Sequence, residues 1–321
     1  MRKLFIFALF VVLMVSMALA DSPYVGTFAR MGYGATGMGM GNSLVAVSDG
    51  DISTYYNPAL APFAQMHTVS ASFGILSLDR TLNFLSYTQP INPTGGFSVG
   101  LINAGVHNID GRNSDGVHTE DLSTFENQFY LAFANQLSEN VSIGVAIKMY
   151  YSKLYDKVTS STVGFDIGGL FHITPELTLG ATIQDINSKY KWPTSNVLST
   201  DGTNPTDHFP LVRKIGLAYN FKPLGLIVSG EYENTSASIN SFRMGAEYFI
   251  NPNFTLRAGL DRWETGSNTA GAEPTFGFTV QPSQTGMMAM PVLSTLSLSY
   301  AFIFEPFSSS DIHVITLSSK F

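Results

Sequence analysis

The sequence contains no cysteine. That excludes a disulfide-stapled scaffold and any thiolate metal site. Charge is scarce as well. Only 13% of residues are Asp, Glu, Lys or Arg, against about 25% in a typical soluble domain. The net charge is −7 and no Lys/Arg run occurs, so no nucleic-acid partner is expected. Beyond residue 20 no apolar run nears the ~18 consecutive residues that a membrane-spanning helix needs. A helical membrane protein is excluded.

What the chain does have is 45% apolar residues, 12% aromatic residues and 29 glycines. Its start is an address. Met1-Arg2-Lys3 is basic, Leu4 to Val15 is apolar, and Ala18-Leu19-Ala20 offers small residues for cleavage. Residues 1–20 read as a secretory signal peptide. A secreted, cysteine-free chain rich in glycine and aromatics points to the bacterial outer membrane, as an integral protein.

The body of the chain alternates with period two. Phe125, Phe129, Leu131, Phe133 and Leu137 share one parity, with Glu126, Gln128, Ala132 and Ala134 on the other. Val145, Ile147 and Met149 alternate with Gly144, Ala146 and Lys148. Such alternation predicts strands with one apolar face. The second face is mostly Gly, Ser, Ala, Thr, Asn and Gln, which suits the interior of a barrel facing lipid outside. Fourteen strands are expected, over 67–78, 81–89, 97–106, 125–137, 141–154, 162–173, 177–188, 212–221, 226–234, 241–250, 254–264, 274–281, 292–304 and 311–321. The predicted fold is all-β, a closed 14-stranded antiparallel transmembrane barrel. Short inward turns at 138–140, 174–176, 222–225 and 251–253 alternate with outward connections, the longest being 107–124 and 189–211. The inward connection at 282–291 is unusually long and carries Met287-Met288-Ala289-Met290. Phe321 closes the last strand, and a terminal aromatic there resembles the signal read by the barrel assembly machinery.

Parity also predicts a charge ladder. If one inward turn centres on Pro252, Glu247 opposes Arg257 and Arg243 opposes Asp261. If the preceding outward turn centres on Ala237, Glu231 opposes Arg243 as well. All five lie opposite Phe242, Met244, Tyr248, Leu256 and Leu260, so they should face the lumen. The ladder is expected chiefly to stiffen the wall, with a grip on the hatch or cargo as the alternative.

Residues 21–66 do not alternate. They run Phe28-Ala29-Arg30-Met31-Gly32, then Gly34-Ala35-Thr36-Gly37-Met38-Gly39-Met40-Gly41-Asn42. Val45-Ala46-Val47-Ser48-Asp49 and Tyr55-Tyr56-Asn57-Pro58-Ala59 follow. This stretch resembles the N-terminal segment of the PorV/PorQ family, grouped with FadL-like outer-membrane transport proteins. The resemblance implies that 21–66 is a hatch plugging a barrel formed by 67–321. It singles out Met38, Met40, Tyr55, Tyr56, Asn57, Pro58 and Ala59 as hatch residues. Glycine supplies the positive φ and close approach that packing into a lumen demands. Met38 and Met40 could offer an adaptable apolar lining.

Sharper motifs fail. Gly32-x-Gly34-x-x-Gly37 lacks the strand before it that a dinucleotide fingerprint needs. The six histidines show no ligand spacing, and Arg112 spoils a calcium loop at 110–116. No nucleophile–base pair carries a signature, so no enzyme, no metal and no cofactor are expected. Two functions remain. One is a secretion accessory of the PorV kind, acting with type IX secretion-system components; the N-terminal motif and the short chain favour it. The other is a FadL-like conduit for an apolar ligand such as a fatty acid. Outer-membrane lipid is a partner in either case.

Overall fold

The structure is a computed structural model describing residues 24–51, 53–198, 202–264, 271–281, 296–306 and 308–321. The expected signal peptide and Met287–Met290 lie outside the described residues. Fourteen antiparallel strands close into one barrel. They are β1 (Thr68–Ile75), β2 (Arg80–Ile91), β3 (Gly95–Arg112), β4 (His118–Ser138) and β5 (Val141–Tyr155). Next come β6 (Val158–His172), β7 (Leu177–Ile186), β8 (Val212–Phe221), β9 (Leu226–Thr235) and β10 (Asn240–Asn251). The last are β11 (Phe254–Glu264), β12 (Glu273–Val280), β13 (Leu296–Ile303) and β14 (Ile312–Lys320). The seam is β1 on β14, from Thr68 opposite Lys320 to Ile75 opposite His313. Beyond it His67 and Phe321 exchange backbone hydrogen bonds of 3.0 and 2.9 Å, and their rings stack.

The alternation decides which face is which. Phe129, Phe133, Ile147, Met149, Phe242, Met244 and Tyr248 are exposed on the outside, while Gln128, Lys148, Arg243 and Glu247 are buried inside. An apolar exterior around a polar interior inverts the layout of a soluble protein. It is stable only where the exterior meets an apolar solvent.

The stretch 107–124, expected to be a long connection, is mostly strand. β3 and β4 stay paired from Val106 opposite Thr124 to Arg112 opposite His118, past the end of β2 at Arg80. The segment has no apolar face because it stands above the barrel in water, so period-two hydrophobicity could not report it. At its tip His118 Nδ1 lies 2.7 Å from Asp110 Oδ1, and Arg112 Nε donates to the other Asp110 oxygen at 2.8 Å. The Asp110 hydrogen bond raises the His118 pKa, and the same bond, helped by Arg112, lowers that of Asp110. A raised histidine pKa stabilises below about pH 6.5, and that contribution is lost as pH rises through the folded value; the lowered carboxyl contributes above about pH 3.9 and fails in strong acid. The hairpin tip should therefore be most ordered in mildly acidic medium. The protection factors of the 110–118 amides, each taken against the free-chain exchange rate at the same pH, should fall from pH 5.5 to 8, and His118→Gln should abolish that fall.

The described residues between 24 and 66 pack against the inner wall of the barrel, with Tyr24 and Met66 left exposed. They form a short 3-10 turn (Thr27–Arg30), a helix α1 (Gly34–Gly39) and a second 3-10 stretch (Pro58–Phe63). The wall makes room by placing glycine where this segment passes. Any side chain on Gly144 or Gly168 would strike Asn57, Pro58 or Ala59, and one on Gly245 or Gly259 would strike Met40 or Gly41. Gly41 itself has φ +59°, a conformation that costs other residues energy. The expected 189–211 connection also folds inward. Strands Lys189–Lys191 and Thr206–His208 pair, and Tyr190 and Phe209 are buried against Tyr150 beneath them.

Candidate functional site: the plugged lumen

The hatch residues singled out by resemblance all sit in the interior. Met38 and Met40 are 1% exposed, Tyr56 1%, Asn57 and Ala59 0%. Asn57 is the central tie. Its Nδ2 donates to Val45 O at 2.8 Å and to Gly169 O on β6 at 3.1 Å, while its Oδ1 accepts from Ala59 N at 2.9 Å and caps the turn opened by Pro58. One side chain thus joins two hatch segments to the wall. Tyr56 OH donates to Asn42 Oδ1 at 2.6 Å and accepts from Tyr33 N at 2.9 Å. Tyr55 OH donates to Ala29 O at 2.6 Å. The hydroxyls therefore bond within the hatch, and the Tyr55 ring stacks on Tyr33 and meets Tyr56 edge to face. Asn57→Ala would leave two carbonyls and one amide buried without their partner, at about 1–3 kcal/mol. A lower thermal midpoint with faster proteolysis inside 24–66 is expected; an unchanged midpoint would show that water replaces the side chain.

The charge ladder stands where parity put it. Glu231 opposes Arg243 and Glu247 opposes Arg257 in register. Arg257 Nε lies 2.5 Å from Glu247 Oε2, and Arg243 Nε lies 2.6 Å from Asp261 Oδ1 across a bulge between Phe242 and Met244. Arg243 Nη1 reaches Glu233 at 2.7 Å and Glu231 at 3.4 Å, and Lys214 Nζ joins the same two carboxylates at 3.3 and 3.5 Å. Besides linking neighbouring strands of the wall, the ladder also contacts the hatch, the alternative role that the sequence left open. Asp261 Oδ2 accepts from Asn42 Nδ2 at 2.6 Å, and Glu231 Oε2 accepts from Val45 N at 3.2 Å. Hatch residue Asp51 bridges Lys320 Nζ at 2.6 Å and Arg257 Nη2 at 3.5 Å. Burial pushes the Asp51 carboxyl up, but Lys320 and Arg257 outweigh it and the net direction is down.

A second buried charge cluster escaped the sequence reading. Lys148 Nζ lies 2.8 Å from Asp166 and 3.1 Å from Asp185, and Tyr150 OH donates to Asp185. Parity marks Lys148 and Asp166 as inward. Asp185 sits at positive φ where β6 and β7 shift register, which no periodicity reveals. Ser48 Oγ also comes within 3.2 Å of His172 Nε2. Among the described residues the other ring nitrogen has no hydrogen-bond partner, and the ring packs against Phe63.

Between hatch and wall, at the end carrying Thr68, Lys320 and the short turns, lies a cavity of about 350 Å³. At the opposite end Phe28, Tyr150, Tyr190 and Phe209 pack edge to face.

No protein-family profile matches the chain, and no curated protein matches it. Solved structures do. The Pseudomonas putida toluene transporter TodX matches at a TM-score of 0.62 and 14% identity, over 95% of this chain and 98% of that one. The monoaromatic hydrocarbon channel CymD gives 0.63 and 15%, over 91% and 98%. A FadL homologue of Pseudomonas aeruginosa gives 0.58 and 13%, over 90% and 98%. At such identities the likeness shows a shared fold.

Proposed function

We propose that the protein is an integral outer-membrane conduit for small hydrophobic molecules, held shut by its hatch. The observation carrying this reading is the lumen itself, filled by residues 24–66 and tied to the wall through buried polar contacts. A freely open porin would not bury Asn57, Met38 and Met40 almost completely. The apolar exterior supplies the membrane contact, and an Arg or Lys placed there would cost up to about 2–4 kcal/mol at the midplane. The fold neighbours named for toluene and other monoaromatic hydrocarbons support the apolar cargo. The secretion-accessory reading rests on the N-terminal motif and the short chain and draws nothing from those neighbours. We read the end with the short turns as periplasmic.

Whole cells expressing the protein test this. Expression should raise uptake of labelled toluene at low concentration over a strain carrying an empty vector, without raising permeability to a sugar of similar mass. Equal gains for both solutes would make the barrel an open pore, and no gain for toluene would sink the conduit reading. Native purification with mass spectrometry would reveal a secretion partner directly.

A further inference from the structure

Resting on the conduit reading, we infer that the inner cavity is a binding site for small, neutral, oxygen-bearing ring compounds, preferred over both the bare hydrocarbon and the carboxylate. Its size of about 350 Å³ lies at the lower end of small-molecule pockets. Its lining divides in two. Tyr33, Tyr130 and Phe63 present ring surface, with Tyr33 and Tyr130 edge to face at 6.0 Å. Ser70, Ser72, Ser86, Thr88, Thr316 and Ser318 present hydroxyls from β1, β2 and β14.

The hydroxyl wall has spare capacity. Ser72 pairs with Thr316 at 2.7 Å and Ser70 with Ser318 at 2.9 Å. Each hydroxyl has one proton and two lone pairs, so each pair uses one proton and one lone pair. Left over in each pair are one proton and three lone pairs. Thr316 Oγ1 spends one of these on Ala35 N at 2.8 Å. A ligand hydroxyl can therefore both donate to this wall and accept from it, which a hydrocarbon cannot do.

Charge argues against an acid. Among the described residues the charged lining groups are Asp49, Asp51 and Lys320. The ammonium is already held by Asp51 at 2.6 Å. An incoming carboxylate would find two acids and no uncommitted cation in the lining. A neutral phenol or small alcohol meets no such penalty.

The probes are 4-fluorophenol, fluorobenzene and 4-fluorobenzoate, which share a ring and differ in one substituent. Fluorine NMR of the full chain in lipid nanodiscs should show saturable binding of the phenol, weaker binding of fluorobenzene and none of the benzoate. The double variant Ser72→Ala, Ser318→Ala should weaken phenol binding about fivefold, the scale of one net hydrogen bond, and leave fluorobenzene unchanged. Should the double variant fail to fold, Ser86→Val must weaken the phenol likewise. Equal binding of phenol and fluorobenzene, tighter binding of the benzoate, or a phenol affinity indifferent to the variants would overturn the inference. Toluene uptake by cells is scored separately, so a hydrocarbon conduit without this site and a site without a conduit give different results.

Discussion

Arg243→Met is expected to destabilise the barrel by about 3–5 kcal/mol, the scale of removing one partner from a buried ion network. The wild-type guanidinium sits against Glu231, Glu233 and Asp261, with 3% of its side chain exposed. Its removal leaves Lys214 alone to answer both glutamates. Asp261 keeps only the Asn42 amide and Arg262 at 3.6 Å. The methionine fits by volume, so the loss is electrostatic rather than a cavity. Urea unfolding in lipid vesicles measures it. Arg243→Lys should fall between the two, since a point charge cannot serve acids on both sides as a planar fork does. A shift under 1 kcal/mol for Arg243→Met would mean that water or neighbouring side chains already screen these acids.

Deleting residues 24–60 should have the larger functional effect. The hatch supplies nearly half of the main buried apolar cluster inside the lumen, among it Phe28, Met38, Met40, Leu44 and Val45. Where it passes, the wall carries glycines such as Gly144, Gly168, Gly245 and Gly259, which cannot fill the space alone. In planar bilayers the intact protein should stay closed, and the deletion should give stable ohmic steps. Heat-modifiable migration on gels checks that the shortened chain still forms a barrel. A closed deletion variant with a formed barrel would show that the 189–209 hairpin seals the lumen unaided. Large steady currents from the intact protein would remove the hatch from consideration as a barrier.

Much of the barrel could be read from residues because lipid enforces a strict rule. Each spanning strand must show an apolar side chain at every second position, and Val145-Ala146-Ile147-Lys148-Met149 obeys it. The ladder was legible for a related reason. Antiparallel partners have a constant sum of residue numbers, so one turn position assigns every pair on two strands. The rule lapses outside the membrane. It missed the projecting ends of β3 and β4, whose residues 107–124 face water on both sides. It missed the inward fold of 189–209, because Tyr190 and Phe209 are held by rings from distant strands rather than by a local pattern. The grip of Asp51, Asn42 and Val45 on the ladder joins a segment without periodicity to strands nearly two hundred residues later, and nothing local encodes it. A usable signal was present in the inward glycines. Gly144, Gly168, Gly245 and Gly259 all share the lumen parity, and a run of missing side chains on the inner face of a barrel marks where something else must lie.

The seam carries a consequence for the order in which the molecule is made. Thr316 receives Ala35 and Lys320 receives Asp51, while Phe321 bonds back to His67. The earliest part of the mature chain is thus fastened by the latest. Without the final strand, Ala35 loses its Thr316 partner, Asp51 keeps Arg257 but not Lys320, and the first strand has an open edge. Docking of the plug and closing of the ring therefore share one strand and are completed together. Loss of a few terminal residues would accordingly do two injuries at once, freeing the plug as well as the seam.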